Sequence, residues 1–169
     1  MIIQFVGYSN SGKTTMLEKT ISYFAAKGLS VATIKHHGHS EELQSLDEGK
    51  DSWRHRQAGA MATSVCAGPN FQFQSTKQIN WTLADILSIY QQIPYDVLFV
   101  EGFKKEKYDK IVFIQKEEDM SLLDNVENCC AVVYWDTVQK EMIYKGPVFS
   151  ICEEELFLEW LYSFYKHSL

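Results

Sequence analysis

Apolar positions along this chain follow two periods, and the switches between them mark its elements. Ile2-Ile3-Gln4-Phe5-Val6 is a short β-branched and aromatic run closed by a glycine, which is the composition of a strand. From Thr15 to Lys27 the period changes, with Met16, Thr20, Tyr23 and Phe24 at helical spacing before Gly28. Leu29 to Lys35 reads as a second strand, completing a β-α-β unit whose right-handed crossover makes the two strands parallel. His36 to Gly49 is polar and loop-like, and Lys50 to Ala58 forms a short helix with Asp51 near its start. Met61 to Ala67 and Phe71 to Thr76 flank Gly68-Pro69-Asn70 as a hairpin, an insertion over residues 61–76. Thr82 caps an amphipathic helix that runs to about Gln92, with Leu83, Ile86, Leu87 and Tyr90 on one face. Tyr95 to Val100 is apolar except for Asp96, the pattern of a parallel strand covered on both faces. Lys110 to Gln115, Cys129 to Tyr134 and Glu141 to Tyr144 read as further strands, and Glu153 to Lys166 as a closing helix with acids in its first turn. This alternation predicts an α/β fold in one domain over residues 1–169: a mostly parallel central sheet, helices on both faces and an extra β-hairpin.

Between the first strand and the first helix stands Gly7-Tyr8-Ser9-Asn10-Ser11-Gly12-Lys13-Thr14, which fits the P-loop pattern G-x-x-x-x-G-K-[ST]. The chemistry explains the pattern. Glycines let the backbone of Gly7 to Gly12, including Ser9, Asn10 and Ser11, wrap a phosphate with its N–H groups; Lys13 reaches the β and γ phosphates, and the Thr14 hydroxyl ligates Mg²⁺. The helix N-terminus adds partial positive charge. A nucleoside triphosphate is therefore the expected ligand.

Composition narrows the classes. With 169 residues, 46% of them hydrophobic, the chain can fill a two-sided core. Its net charge of −6 argues against a nucleic-acid surface, which needs clustered Lys and Arg. No run approaches the roughly 20 apolar residues of a membrane span, and the N-terminus enters a strand at once, so a cytoplasmic protein is expected. Cys66, Cys129, Cys130 and Cys152 lack C-x-x-C spacing and read as buried free thiols without chemistry.

Ligands of open α/β sheets bind outside the carboxyl ends of the strands, which sorts the remaining candidates. Glu101 follows the strand ending at Val100 and is placed to hold Mg²⁺, whereas Asp96, roughly 16 Å away at the far end, is structural. Lys35 ends its strand at the same edge. Asp136, past Tyr134, can accept the paired N–H donors of guanine, with an ordinary turn aspartate as the equal alternative. Arg54 and Arg56 are the only arginines, and their i, i+2 spacing lets at most one face the phosphates. Lys35-His36-His37-Gly38-His39 favours phosphate or partner contact over a metal site. Lys104, Lys105, Lys107 and Lys110 alternate with acids as a solvated loop, or face an anionic partner.

Four stretches together resemble the MobB family: the P-loop with Thr15, Ile34-Lys35-His36 with His39, Gly49-Lys50-Asp51-Ser52 leading to Arg56-Gln57-Ala58-Gly59-Ala60, and Val100-Glu101-Gly102-Phe103-Lys104. The first is generic to P-loop proteins; the others, in this order, are more specific. The resemblance implies a P-loop NTPase fold, GTP binding with weak Mg²⁺-dependent hydrolysis, a homodimer joined through the hairpin region, and the molybdenum cofactor guanylyltransferase MobA as partner. It puts Lys13, Thr14 and Thr15 at phosphate and Mg²⁺, Glu101 at the metal, and Lys35, His36, Asp51 and Arg56 around the cleft, with Lys13, Glu101 and Arg56 as the catalytic residues and molybdopterin as a further ligand. The base contact at Asp136 lacks the full N-K-x-D signature. Two other readings share these features: a small-molecule kinase or ligase of the dethiobiotin synthetase type, and a GTPase that delivers a metal.

Overall fold

The computed structural model describes residues 1–38, 43–76, 79–138 and 144–169. The chain divides into two compact units, residues 1–38 with 91–169 and residues 39–90. The first holds a six-stranded sheet built from β1 (Ile2–Gly7), β2 (Val31–Lys35), β5 (Val97–Glu101), β6 (Asp109–Ile114), β7 (Cys129–Tyr134) and β8 (Val148–Ser150). Their order is β2-β5-β1-β6-β7-β8. Every neighbouring pair is parallel. The connections leave β1 toward one edge and return beyond it toward the other, so the end of β1 is the point where the winding reverses and where such sheets bind ligands.

Alternation along the strands separates two faces. Ile3, Phe5, Val97, Phe99, Ile111, Phe113, Ala131 and Val133 pack with Met16, Leu17 and Phe24 of α1 (Lys13–Ala26) and Phe157, Leu158, Leu161 and Tyr165 of α4 (Glu154–His167). Phe5 stacks on Phe113 and meets Phe99 edge-on, each at 5.7 Å between ring centroids. On the opposite face Val6, Val112, Ile114 and Val132 pack with Leu122 of a 3-10 helix (Glu117–Leu122) and with Val138. That helix and β8 were not signalled by the sequence pattern; each is a single short element. The expected strand Glu141 to Tyr144 falls mostly outside the described residues.

This second face also buries two polar side chains. Gln4 and Lys110, cross-strand neighbours on β1 and β6, are both fully buried. Gln4 Nε2 donates to the carbonyls of Gly102 (3.0 Å) and Phe103 (2.8 Å), and Lys110 Nζ donates to those of Glu106 and, at 2.9 Å, Tyr108. Together they strap the β5–β6 connection across the sheet, satisfying carbonyls that have no ladder partner. Lys110 thus departs from the solvated-loop expectation, because carbonyl acceptors of its own loop replace water. Burial lowers its pKa, opposed by Glu127. The strap also holds Phe103 at a positive φ of 52°, a conformation that costs a bulky residue energy.

The second unit contains α2 (Asp51–Gln57), the antiparallel hairpin of β3 (Ala62–Ala67) and β4 (Asn70–Ser75), and α3 (Leu83–Tyr90). Thr82 and Asp85 form the reciprocal bonds that start α3: Thr82 N donates to Asp85 Oδ2 at 3.0 Å and Asp85 N to Thr82 Oγ1 at 3.2 Å. Phe71 and Phe73 lie on one face of β4 and are exposed, as is Val65 on β3. Cysteine burial follows the elements. Cys129 and Cys130 are half-buried, and burial raises both thiols, Cys130 to about 12, which keeps them protonated. Cys66, on the exposed hairpin, and Cys152, in the turn before α4, depart from the expectation of buried thiols. Among the described residues no helix is long and apolar enough to cross a membrane.

Candidate functional site

The loop between β1 and α1 is fixed by close approach. A Cβ on Gly7 would come 2.7 Å from Ser11 Oγ and 2.9 Å from the Phe113 carbonyl, so a side chain here would force the loop open. Gly12 caps α1 at φ 88°, where a Cβ is strained, and its carbonyl accepts from Met16 N at 3.0 Å. The first-turn amides of α1 have no carbonyl partner within the helix, and no side chain caps them. Trp135 Nε1, just beyond β7, donates to the Ser11 carbonyl at 3.0 Å and so ties the loop to the next strand end. Tyr8, Ser9 and Asn10 are exposed along the loop, and Thr15 is exposed on the first turn of α1.

Three side chains meet at the loop's end. Lys13 Nζ donates to the Tyr8 carbonyl at 2.5 Å and to Ser11 Oγ at 3.2 Å, so its ammonium curls over the loop. Glu101, the last residue of β5, is buried on the face that α1 covers, and Thr14 Oγ1 donates to its Oε1 at 3.0 Å. Lys35, in register with Glu101 on β2, places Nζ 3.3 Å from the same Oε1 and donates to Thr14 Oγ1 at 3.4 Å. Burial lowers the Lys13 pKa; Glu101 opposes that shift, whereas Lys104 and Lys35 add to it. The hydroxyl and carboxylate are hard oxygen donors suited to Mg²⁺, and the Lys35 ammonium resting on both is a stand-in for a cation there. The donor set therefore fits a hard divalent cation.

The strapped β5–β6 connection edges the same site. Its Lys104 Nζ lies over the Tyr8 ring, 4.4 Å from the centroid, and its Phe103 ring sits 4.3 Å from that of His36, whose backbone N–H donates to the Glu101 carbonyl at 2.8 Å. The carboxyl end of the sheet thus gathers Lys13, Thr14, Lys35, His36 and Glu101. The sequence pattern assigns no role to Gln4, Trp135 or Tyr8, because an internal strand amide and two loop aromatics carry no local signal. Asp96 lies at the far end, where Oδ2 accepts from Ser30 N at 2.7 Å.

Asp136 follows Trp135 and is exposed, with Oδ1 accepting from Ser150 Oγ at 2.5 Å and Oδ2 from Cys152 Sγ at 3.4 Å. Asp51 and Arg56 belong to the second unit. Asp51 pairs with Arg54 at 3.6 Å, both well exposed. Arg56 turns into its own unit: Nη1 donates to Asp47 Oδ2 (2.9 Å) and Thr63 Oγ1 (2.7 Å), and Nη2 to Ser45 Oγ (2.9 Å) and Asp47 Oδ1. Ser52 Oγ and Ser45 Oγ donate to Asp47 as well. His39 lies outside the described residues.

The family model of MobB, described as molybdopterin guanine dinucleotide synthesis protein B, matches residues 2–135. The chain belongs to the MobB family. A relative in Bacillus subtilis (strain 168), named as a probable molybdopterin-guanine dinucleotide biosynthesis adapter protein, is 41% identical over 133 residues, covering 79% of this chain and 75% of the relative. The crystal structure of a MobB protein homolog from Bacillus stearothermophilus superposes with a TM-score of 0.78 at 30% identity, covering 98% of each chain. That of Bacillus subtilis MobB gives 0.77 at 33% identity over 96% of each. The MobB match covers the Gly7-to-Thr14 loop, Lys35, Glu101 and the Gly49-to-Ala60 stretch, and it ends before Asp136.

Proposed function

We propose that this chain binds GTP with Mg²⁺ at the Gly7–Thr14 loop, hydrolyses it weakly, and serves as an adapter in molybdopterin guanine dinucleotide biosynthesis with the guanylyltransferase MobA as partner. The observation that carries the nucleotide reading is the Thr14–Glu101 contact of 3.0 Å at the end of a glycine-fixed loop. A chance motif match would not bring a buried carboxylate from a strand 87 residues away onto the motif's own hydroxyl. Membership of the MobB family supports the adapter role. In this reading Lys13 would hold the β and γ phosphates on the loop, the first-turn amides of α1 would take the remaining oxygens, and Thr14 with Glu101 would hold the metal. Mg²⁺, when bound, offsets charge on the phosphoryl oxygens. Arg56 commits its guanidinium to Asp47, Ser45 and Thr63, which suits slow hydrolysis, since rapid GTPases aim an arginine at the transition state.

A cytoplasmic location and a homodimer go with this reading. Phe71 and Phe73 expose apolar area on one face of a two-stranded sheet, which is marginal alone and has open edges to pair with a second copy. Lys104 and Lys105, exposed beside the loop, are suited to a pterin phosphate or an acidic partner surface. The test is calorimetric titration of GTP and ATP, each with and without Mg²⁺, on the parent and on Lys13→Ala, followed by a product assay with purified guanylyltransferase. GTP binding that Lys13→Ala abolishes in a folded protein, and stimulation of dinucleotide formation by the parent, are the expected results. Unchanged affinity in Lys13→Ala overturns the nucleotide site, and lack of stimulation overturns the adapter role.

A further inference from the structure

The triangle of Lys35, Thr14 and Glu101 has a feature that triphosphate binding alone does not require. All three contacts share Glu101 Oε1 or Thr14 Oγ1: Thr14 to Glu101 at 3.0 Å, Lys35 to Glu101 at 3.3 Å, Lys35 to Thr14 at 3.4 Å. The ammonium therefore rests on the two oxygens best suited to a divalent cation. Its placement is built into the sheet, because Lys35 and Glu101 end adjacent parallel strands in register, and β2 and β5 hold their backbones together up to that point. Its hold is nonetheless light. The Lys35 side chain is 55% exposed, against 10% for Glu101, and it reaches the carboxylate by one contact on a flexible four-carbon stem. An ammonium held this way is itself solvated and can leave, but the shielded Glu101 then needs another cation.

We infer that Lys35 is a tethered cation of the site: it neutralises the Thr14–Glu101 pair ahead of the metal, competes with Mg²⁺ for those oxygens, and turns to the phosphates once displaced. The inference rests on the proposed nucleotide site and adds a property that site does not entail. Lys13 in turn feels both the Glu101 carboxylate and the ammonium groups of Lys104 and Lys35. With Lys35 present, the loop meets a triphosphate with enough positive charge to hold it without Mg²⁺, and metal dependence of binding is weak. Without Lys35, Glu101 is left uncompensated beneath an anion, and a divalent cation becomes necessary to bridge them.

The test measures GTP affinity with EDTA and with saturating Mg²⁺ for the parent, Lys35→Met and Lys35→Arg, and Mn²⁺ binding to the nucleotide-free proteins by electron paramagnetic resonance. Lys35→Met keeps the apolar stem and removes the charge. Its affinity in EDTA should fall by about tenfold or more, the usual worth of a charge-assisted contact, and by less with Mg²⁺, where the divalent cation supplies the charge on Glu101 that Lys35 gives up. Mn²⁺ should bind Lys35→Met more tightly than the parent, and Lys35→Arg should restore the EDTA affinity. An equal Mg²⁺-to-EDTA ratio in parent and Lys35→Met, or equal Mn²⁺ affinity, overturns the role of Lys35 and leaves the nucleotide site standing. A parent that binds GTP under neither condition overturns both.

Discussion

The Arg56–Asp47 pair and the Lys35–Glu101 pair each join a cation to a carboxylate, one in each unit of the chain, and they are built for opposite ends. Both members of the first are shielded, at 11% and 10% side-chain exposure, whereas Lys35 is 55% exposed over a Glu101 at 10%. Arginine's planar fork engages both oxygens of Asp47 and still reaches Ser45 and Thr63, and two serine hydroxyls complete the carboxylate. That arrangement closes on itself and holds the loop before α2, α2 itself and β3 together. Lysine's point charge makes long single contacts to an oxygen pair that lies beside a helix N-terminus and the glycine-fixed loop before it. A closed pair fixes geometry; an open one leaves binding capacity. The family resemblance brought Arg56 and Lys35 to one cleft, and the contacts around each distinguish a tie from a site.

The largest effect on stability should come from opening the closed pair. Arg56→Ala leaves the Asp47 carboxylate shielded with hydroxyls alone, and breaking one side of such a pair costs far more than losing an exposed one. The urea midpoint should drop, and amide exchange in α2 and β3 should quicken, while Lys35→Met moves neither. The pH dependence has a definite sign. Hydrogen bonds from Arg56, then Ser52, hold the Asp47 carboxyl well below the usual carboxylate range. Its contribution is fully present above the unfolded value of about 4 and is lost as pH falls through the lower folded value. The difference in midpoint between the parent and Asp47→Asn should therefore be constant from about pH 5 to 8 and shrink below about 4. A difference that grows in acid would mean that the pair does not act as a tie.

Next in size is the effect at the open pair, on function and not on folding. Glu101→Gln keeps the side-chain shape and the Thr14 bond but removes the charge at the metal, so GTP affinity should largely survive. Mg²⁺-dependent hydrolysis should fall by about tenfold to a hundredfold, the range seen when a metal's carboxylate shell is altered. Hydrolysis at the parental rate, together with a midpoint lowered as in Arg56→Ala, would turn Glu101 into a second structural tie and erase the contrast.

How much of this was legible depended on how local each signal was. The β1-loop-α1 unit was readable because strand, glycines and helix are contiguous, and Glu101 followed from the rule that ligands lie at strand carboxyl ends. Asp96, at the other end, bonds Ser30 N as that rule required. Lys110 was misread because what buries it, the carbonyls of Glu106 and Tyr108, becomes an acceptor set only when the loop folds over β6. The destination of Arg56 was hidden for a related reason. Its partner Asp47 lies in a polar stretch without periodicity, where nothing in the pattern singles out one acid from its neighbours.

Asp136 falls between the two cases, and the smallest expected effect decides to which it belongs. Like Glu101 it follows a strand at the ligand edge; like Asp47 it accepts from serine, here Ser150 at 2.5 Å. Among the described residues its other oxygen meets the Cys152 thiol at 3.4 Å, a weak donor, which leaves lone-pair capacity for the N–H donors of guanine. In Asp136→Asn the amide oxygen can keep the Ser150 bond while an NH₂ group faces the base, opposing donor to donor. The preference for GTP over ATP should narrow by about 1–2 kcal/mol, the cost of one poorly paired group, with the urea midpoint unchanged. Paired titrations with the two nucleotides measure it. A parental GTP-to-ATP ratio combined with a lowered midpoint would class Asp136 with Asp47, as a carboxylate whose bonds hold the β7–β8 connection and whose place at the edge of the sheet has no bearing on the base.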